Sequence, residues 1–164
     1  MKFETTRFGS IEINSDEVFI MPEGPLGFPD CTRFVFIEED GTHPFRMMQS
    51  LDKPSLAFVV VDPLMVKNDY TFSVTKNDLK QIKADDVEAL HVLAIVTMAQ
   101  EFKNITVNLQ GPIVINTQAR LMNQFVLVNS PYTTKEKLLA DGQDAESLIN
   151  ENRSNKSLIT KKAM

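Results

Sequence analysis

The chain has 164 residues, a formal net charge of −5, 43% hydrophobic residues and 24% charged residues. These values are typical of one globular domain with a substantial core. A membrane-spanning helix is excluded, because no apolar run approaches the roughly 18 residues that such a helix requires. Since the N-terminus has no apolar signal-peptide core, we expect a cytoplasmic protein.

The negative charge lies in the body of the chain. From Thr133 onward there are six Lys/Arg and five Asp/Glu, so residues 1–132 carry −6. Nucleic-acid binding needs clustered basic residues, so we predict no direct nucleic-acid binding. An acidic body suits a basic partner, although the acidity could equally serve only to keep the protein soluble.

Alternation of apolar and polar residues dominates the chain and predicts β-strands. A hairpin turn is predicted at Gly9, and another at Asp40-Gly41. Residues 22–30 hold three prolines and two glycines and predict a shaped loop. The predicted strands are 2–8, 10–14, 17–21, 32–39, 44–50, 56–61, 69–74, 89–98, 104–110, 113–116 and 123–129.

One short helix interrupts the strands. Thr75 and Asp78 form a capping-box-like start, and Leu79 and Ile82 supply an apolar face. The spacing predicts an all-β, mainly antiparallel fold, either a small barrel or a sandwich.

The amino-acid composition changes after Pro131. We predict a β-barrel-like domain over residues 1–132 and a C-terminal extension over 133–164. The extension has few large apolar residues and two weak helical patches, near 134–140 and 143–152. We therefore expect it to be mobile, or helical when a partner holds it.

Residues suited to catalysis are few. Cys31 with His43 or His91 could form a nucleophile and its base, but a lone cysteine at a strand edge is usually a small core residue. With one cysteine and two histidines in the chain, we predict no disulfide, no metal site and no cofactor. A small-molecule-binding or hydrolytic barrel that uses Cys31 is the alternative.

Apolar residues in predicted loops are more informative. Leu56 to Val66 reads LAFVVVDPLMV, and Asp62-Pro63 most simply ends a buried strand. The loop segments PLMV (63–66) and PLGF (25–28) either plug the barrel ends or hold a partner.

Several segments resemble one known family. GPLGFPDCTRFVFIE (24–38), SLAFVVVDP (55–63), HVLAIVT (91–97) and NLQGPIVIN (108–116) follow one another in the order and spacing of the flagellar assembly factor FliW family. The resemblance covers about residues 2–132, and family members commonly end soon after the position of Tyr132.

The resemblance implies a non-enzymatic cytosolic β-barrel, expected to be a monomer when free, with two protein partners. One partner is flagellin, bound near its C-terminal region before export. The other is the translational repressor CsrA, which the free protein antagonises allosterically. Flagellin translation would thereby be coupled to flagellin export.

We predict a partner-binding surface centred on residues 62–70, supported by Gln49 and the strand at 113–117. Replacing Leu64 or Val66 with Asp should abolish partner binding with little loss of stability. The predicted partner-binding residues are Gln49, Asp62, Pro63, Leu64, Met65, Val66, Asp69, Tyr70, Asn116 and Thr117.

Overall fold

The computed structural model describes residues 1–139, which form eleven strands and one α-helix. The strands are β1 (Lys2–Thr5), β2 (Gly9–Glu12), β3 (Phe19–Ile20), β4 (Arg33–Ile37), β5 (Arg46–Ser50), β6 (Ala57–Val61), β7 (Leu90–Thr97), β8 (Thr106–Val107), β9 (Ile113–Asn116), β10 (Leu121–Gln124) and β11 (Glu136–Lys137). The helix is α1 (Lys76–Gln81), and short 3₁₀ turns occupy Ser15–Glu17, Pro63–Met65, Val87–Ala89 and Phe102–Asn104.

Seven of the strands close into a barrel. Their order is β7-β6-β5-β4-β3-β10-β9, and β9 pairs again with β7. All of these pairs are antiparallel except β3 with β10, which are parallel. The prediction of an all-β, mainly antiparallel barrel with one short helix is confirmed.

β7 closes the barrel because it is long enough to pair with two barrel neighbours. Residues 90–93 pair with β9, and residues 94–96 pair with β6. Five residues of β7 are buried, as the unbroken apolar run in the sequence predicts for a central strand. Beyond the barrel, β8 pairs with the end of β7, and β11 pairs with β8.

Helix α1 begins as its capping box predicts. The Thr75 hydroxyl accepts a hydrogen bond from the Asp78 amide at 3.0 Å, and the Asp78 carboxylate accepts from the Thr75 amide at 2.8 Å. The helix ends at Gln81 with Ile82 as its C-cap, and Lys83 has a positive φ of 53°. The predicted helix start is therefore confirmed.

Several predicted strands are shorter in the structure: 104–110 keeps only β8, and 17–21 keeps only β3. Two others differ for reasons that the structure shows. Residues 69–74 form an extended segment with only a single bridge, at Phe72. Their alternation reflects burial of Tyr70 and Phe72 against the barrel, without a continuous ladder. The predicted strand 123–129 belongs to β10 only as far as Gln124. The Phe125 amide donates to the Pro112 carbonyl, but Pro112 has no amide to return the bond.

Residues 133–139 lie against the barrel. The Thr133 carbonyl accepts from the Leu109 amide, the Leu138 amide donates to the Ile105 carbonyl, and Leu138 and Leu139 are buried. The weak helical patch near 134–140 is wrong where it is described, because residues 136–137 form β11. The rest of the predicted extension, including the patch at 143–152, lies outside the described residues.

Within residues 1–139, no helix is long and apolar enough to cross a membrane.

Candidate functional site

The turn after β6 is the centre of the predicted site. Asp62 is extended, with φ −69° and ψ 120°, and its Oδ1 accepts a hydrogen bond from the Leu64 amide at 2.9 Å. Pro63 begins the 3₁₀ turn, where its missing amide proton costs nothing. Asp62-Pro63 ends β6 as predicted, but only Val60 and Val61 of this strand are buried.

Asp62 is an unusual capping residue because it is only 8% exposed. Burial raises the pKa of its carboxyl group to about 6, although the Leu64 amide and the charge of Arg46 oppose the change. Burial disfavours the charged form of Arg46 as well and so lowers its pKa, whereas the charges of Glu38 and Asp62 oppose this change. Burial, followed by repulsion from Arg46, lowers the pKa of His91. A carboxylate, a guanidinium and an imidazole therefore interact close to this turn.

The apolar residues of the turn are half-buried. Leu64, Met65 and Val66 pack against the largest of the three apolar clusters in the described residues. They therefore help to cover the barrel, and only part of each side chain faces solvent. Further along the segment, Asp69 is exposed.

Tyr70 ends the segment and is almost completely buried, with 1% exposure. Its hydroxyl donates to the Leu109 carbonyl at 2.8 Å, and the centroid of its ring lies 4.5 Å from the centroid of the Tyr132 ring. Burial, with a smaller effect of Tyr132, raises the pKa of Tyr70. Tyr70 therefore anchors the segment to the barrel.

The strand register separates the remaining predicted residues. Asn116 lies opposite Leu90, at the end of the barrel toward which the Asp62 turn runs. Gln49 lies opposite Ala57, at the other end of β6. The structure therefore brings Asn116 towards the turn and places Gln49 away from it.

The side chains of Asn116 and Gln49 are buried, and both donate hydrogen bonds to backbone carbonyls. Asn116 Nδ2 donates to the carbonyls of Ile82 and Lys83, at 2.9 and 3.1 Å, which holds the end of α1. Gln49 Nε2 contacts the carbonyls of Ser50, Pro54 and Leu56. Among the predicted residues, the side chains in the exposed class are Asp69 and Thr117.

Cys31 is buried in an apolar cluster with Phe34 and Met48. This location favours the interpretation of Cys31 as a core residue over that of a nucleophile. Within residues 1–139, no group of three or more His, Cys, Asp or Glu side chains could hold a metal ion.

A second surface was missed by the sequence reasoning. Val126 and Val128 are 54% and 78% exposed and line a groove of about 560 Å³ between residues 71–75 and 123–131. Leu26, in the predicted apolar loop, is also exposed, and its amide donates to the Gln124 side chain. The sequence signal that could have indicated this surface is the absence of charge, because residues 121–134 contain no Asp, Glu, Lys or Arg.

Comparisons with known proteins agree with this architecture. The model of the FliW protein family matches residues 2–138. The flagellar assembly factor FliW of Geobacter sulfurreducens is 42% identical over 135 residues, which cover 82% of this chain and 84% of the relative. That of Natranaerobius thermophilus is 39% identical over 142 residues, covering 86% of this chain and 94% of the relative.

A solved structure gives the same result. A crystal structure of the flagellar assembly factor FliW superposes with a TM-score of 0.81 at 32% identity, covering 87% of this chain and all of the other. The match extends over the barrel and reaches beyond Tyr132 to residues that pack on it. The chain belongs to the FliW family of flagellar assembly factors.

Proposed function

We propose that this flagellar assembly factor is a non-enzymatic regulator with two protein partners in the cytoplasm. It binds flagellin near its C-terminal region before export. When flagellin is exported, the free protein binds the translational repressor CsrA and antagonises it allosterically. The observation that carries the proposal is the match to the FliW family over residues 2–138.

The environments of Cys31 and Asp62, together with the charge of the body, support binding rather than catalysis. Cys31 is enclosed by apolar side chains, and the buried Asp62 serves as a cap for the following turn. The described residues carry 13 Lys/Arg against 18 Asp/Glu, a net charge of −5. An acidic body attracts basic partners and increases the rate of encounter.

We place the partner surface on the segment from Asp62 to Tyr70 and on Thr117, which follows Asn116 at the same end of the barrel. Asp69 and Thr117 supply exposed polar contacts, and Leu64 to Val66 supply the partly exposed apolar part. Asp62, Pro63, Tyr70 and Asn116 are buried and act by fixing the backbone that presents these side chains. An amphipathic segment of a partner would lay its apolar face against such a surface.

Calorimetric titration of the purified full chain tests the proposal. We expect saturable binding to CsrA and, in a separate titration, to flagellin. A flagellin lacking its C-terminal region is the matched control and should give no binding heat. Absence of binding to both intact partners would refute the proposed function.

The oligomeric state is part of the same proposal. We expect the free protein to be a monomer, because each copy brings a net charge of −5 that disfavours self-association. Sedimentation across a concentration series measures this directly, and a stable dimer at low concentration would contradict it.

A further inference from the structure

The segment 62–70 lies in a second layer outside the barrel. In β7, Val92 and Ala94 belong to the largest apolar cluster, whereas Leu93 belongs to a separate cluster to which all seven barrel strands contribute. Because successive side chains of a strand point to opposite faces, the separate cluster fills the barrel and the largest cluster lies on its outer wall. The buried Tyr70 is part of the largest cluster. The proposed partner surface is therefore built on this second core.

Residues 132–139, which we name the strap, belong to the same second layer. The strap contains β11, which pairs with β8. Near its start, the Leu109 amide donates to the Thr133 carbonyl at 3.0 Å. Near its end, the Leu138 amide donates to the Ile105 carbonyl at 3.0 Å, and the Leu138 side chain is 1% exposed in the second core. Backbone bonds at both ends therefore fix the strap.

The strap contacts the second half of segment 62–70 in three ways. The centroid of the Tyr132 ring lies 4.5 Å from that of the Tyr70 ring. The Tyr132 hydroxyl accepts a hydrogen bond from the Thr71 amide at 3.0 Å. The Lys67 ammonium lies 3.7 Å from a carboxylate oxygen of Glu136. One short piece of chain thus holds the segment by a ring, a backbone amide and a charge.

The second half of the segment is itself shaped by local bonds. The Lys67 amide donates to the Pro63 carbonyl at 3.1 Å, and the Tyr70 amide donates to the Lys67 carbonyl at 3.0 Å. Turns held by such local bonds open readily unless side chains fix them to the rest of the protein. A partly exposed ion pair contributes little to this, so the packing of Tyr132 on Tyr70 is the main link.

We propose that the strap is a positioning element for the partner surface and acts through Tyr132 and, more weakly, through Glu136. This inference rests on the proposed function and adds a condition to it: partner binding and docking of the strap favour each other. Only molecules whose segment is held in place are competent to bind, so loosening the strap weakens the measured affinity. By the same linkage, a bound partner holds the strap on β8.

Amide hydrogen exchange on the free, full-length protein tests the positioning role. In Tyr132→Ala, we expect the Lys67 and Tyr70 amides to exchange at least about fivefold faster than in the parent. Tyr132→Phe keeps the ring, so both rates should stay within about twofold of the parent. The matched control is Phe3→Ala, which removes a half-buried ring from a different apolar cluster. Unchanged rates in Tyr132→Ala, or equal acceleration in Phe3→Ala, would overturn the proposal.

A second pair of variants tests the strap without removing a ring. Glu136→Lys places a like charge beside Lys67 and removes the acceptor of the Thr133 hydroxyl bond. Lys137→Glu reverses the charge of the next residue, whose side chain is exposed. We expect the Lys67 amide to exchange about two- to fivefold faster in Glu136→Lys alone. Equal rates in the two variants would overturn the role of Glu136.

Calorimetric titration with CsrA tests the link to binding. Tyr132→Ala should bind CsrA at least about fivefold more weakly than the parent, and Tyr132→Phe should restore the affinity to within about twofold. In the complex, the Leu138 amide should exchange at least about threefold more slowly than in the free protein. An unchanged affinity in Tyr132→Ala, or an equal loss in Phe3→Ala, would contradict the proposal. If the parent does not bind CsrA, that part of the proposed function fails, whereas the exchange rates of the free protein still decide the role of the strap.

Discussion

The hydroxyl of Tyr70 donates a hydrogen bond to the carbonyl oxygen of Leu109, 2.8 Å away, inside the protein. This bond joins the segment that follows the Asp62 turn to the chain between β8 and β9. The ring of Tyr70 also contacts the ring of Tyr132. The position of the proposed partner surface therefore depends on a buried anchor at its end.

Tyr70→Phe removes the buried hydroxyl and leaves the Leu109 carbonyl without this donor. We expect the free energy of unfolding to fall by about 1–2 kcal/mol. Tyr132→Phe is the matched control, because the Tyr132 hydroxyl accepts a solvent-accessible bond from the Thr71 amide. Urea unfolding measures both changes, and a larger loss in Tyr132→Phe would contradict the anchoring role of Tyr70.

Asp62 predicts a pH-dependent contribution to stability. The pKa of its carboxyl group is about 6 in the folded protein, against an ordinary value of 3.8. The folded state therefore binds more protons between these values, so the contribution of Asp62 to stability falls as pH rises from about 4 to about 6.

Asp62→Asn keeps an oxygen acceptor for the Leu64 amide and does not titrate. Its free energy of unfolding, relative to the parent, should rise by up to about 3 kcal/mol across that pH range. Urea unfolding at a series of pH values checks this, with Asp69→Asn as a control for net charge. A difference between Asp62→Asn and the parent that does not change with pH would contradict burial as the cause.

Gly24 and Gly27 shape the loop that presents Leu26. Both have positive φ values, 67° and 88°, so alanine at either carries a conformational cost of about 1–2 kcal/mol. A Cβ atom at Gly24 would overlap the Phe28 carbonyl oxygen, whereas at Gly27 it meets nothing within 4 Å. Gly24→Ala should therefore destabilise the protein by about 1–3 kcal/mol more than Gly27→Ala. Similar denaturation midpoints for the two variants would rule out the steric explanation.

Asp69 tests the position of the proposed partner surface. We expect Asp69→Lys to slow association with a partner by about 3- to 10-fold at low salt, because charges at an interface rim act mainly on the association rate. Asp16→Lys makes the same change of charge at another exposed residue, in the 3₁₀ turn Ser15–Glu17. Stopped-flow association measures both. Equal slowing by the two variants would indicate an effect of net charge rather than of position.

The features that the sequence predicted best depend on local chemistry. The capping box of Thr75 and Asp78 and the Asp62-Pro63 strand end are set by neighbouring residues, and both are present. Burial along β7 also follows from its apolar run. Barrel closure depends on long-range pairing between β7 and β9, which only the family resemblance indicated.

The properties that the sequence left open depend on tertiary contacts. Residues 69–74 alternate like a strand because their side chains pack on the barrel, although no continuous ladder forms. Gln49 and Asn116 have polar side chains, but nearby carbonyls hold them in the interior. The exposed Val126 was hidden in an apolar run that continues β10, where Pro112 has no amide to complete the ladder.

The central claim is tested most directly by the RNA-binding activity of CsrA. A labelled RNA bound to CsrA is titrated with this protein, and flagellin is then added. We expect the protein to release RNA from CsrA, and excess flagellin to restore RNA binding. RNA binding by CsrA that does not change when the protein is added would contradict the account.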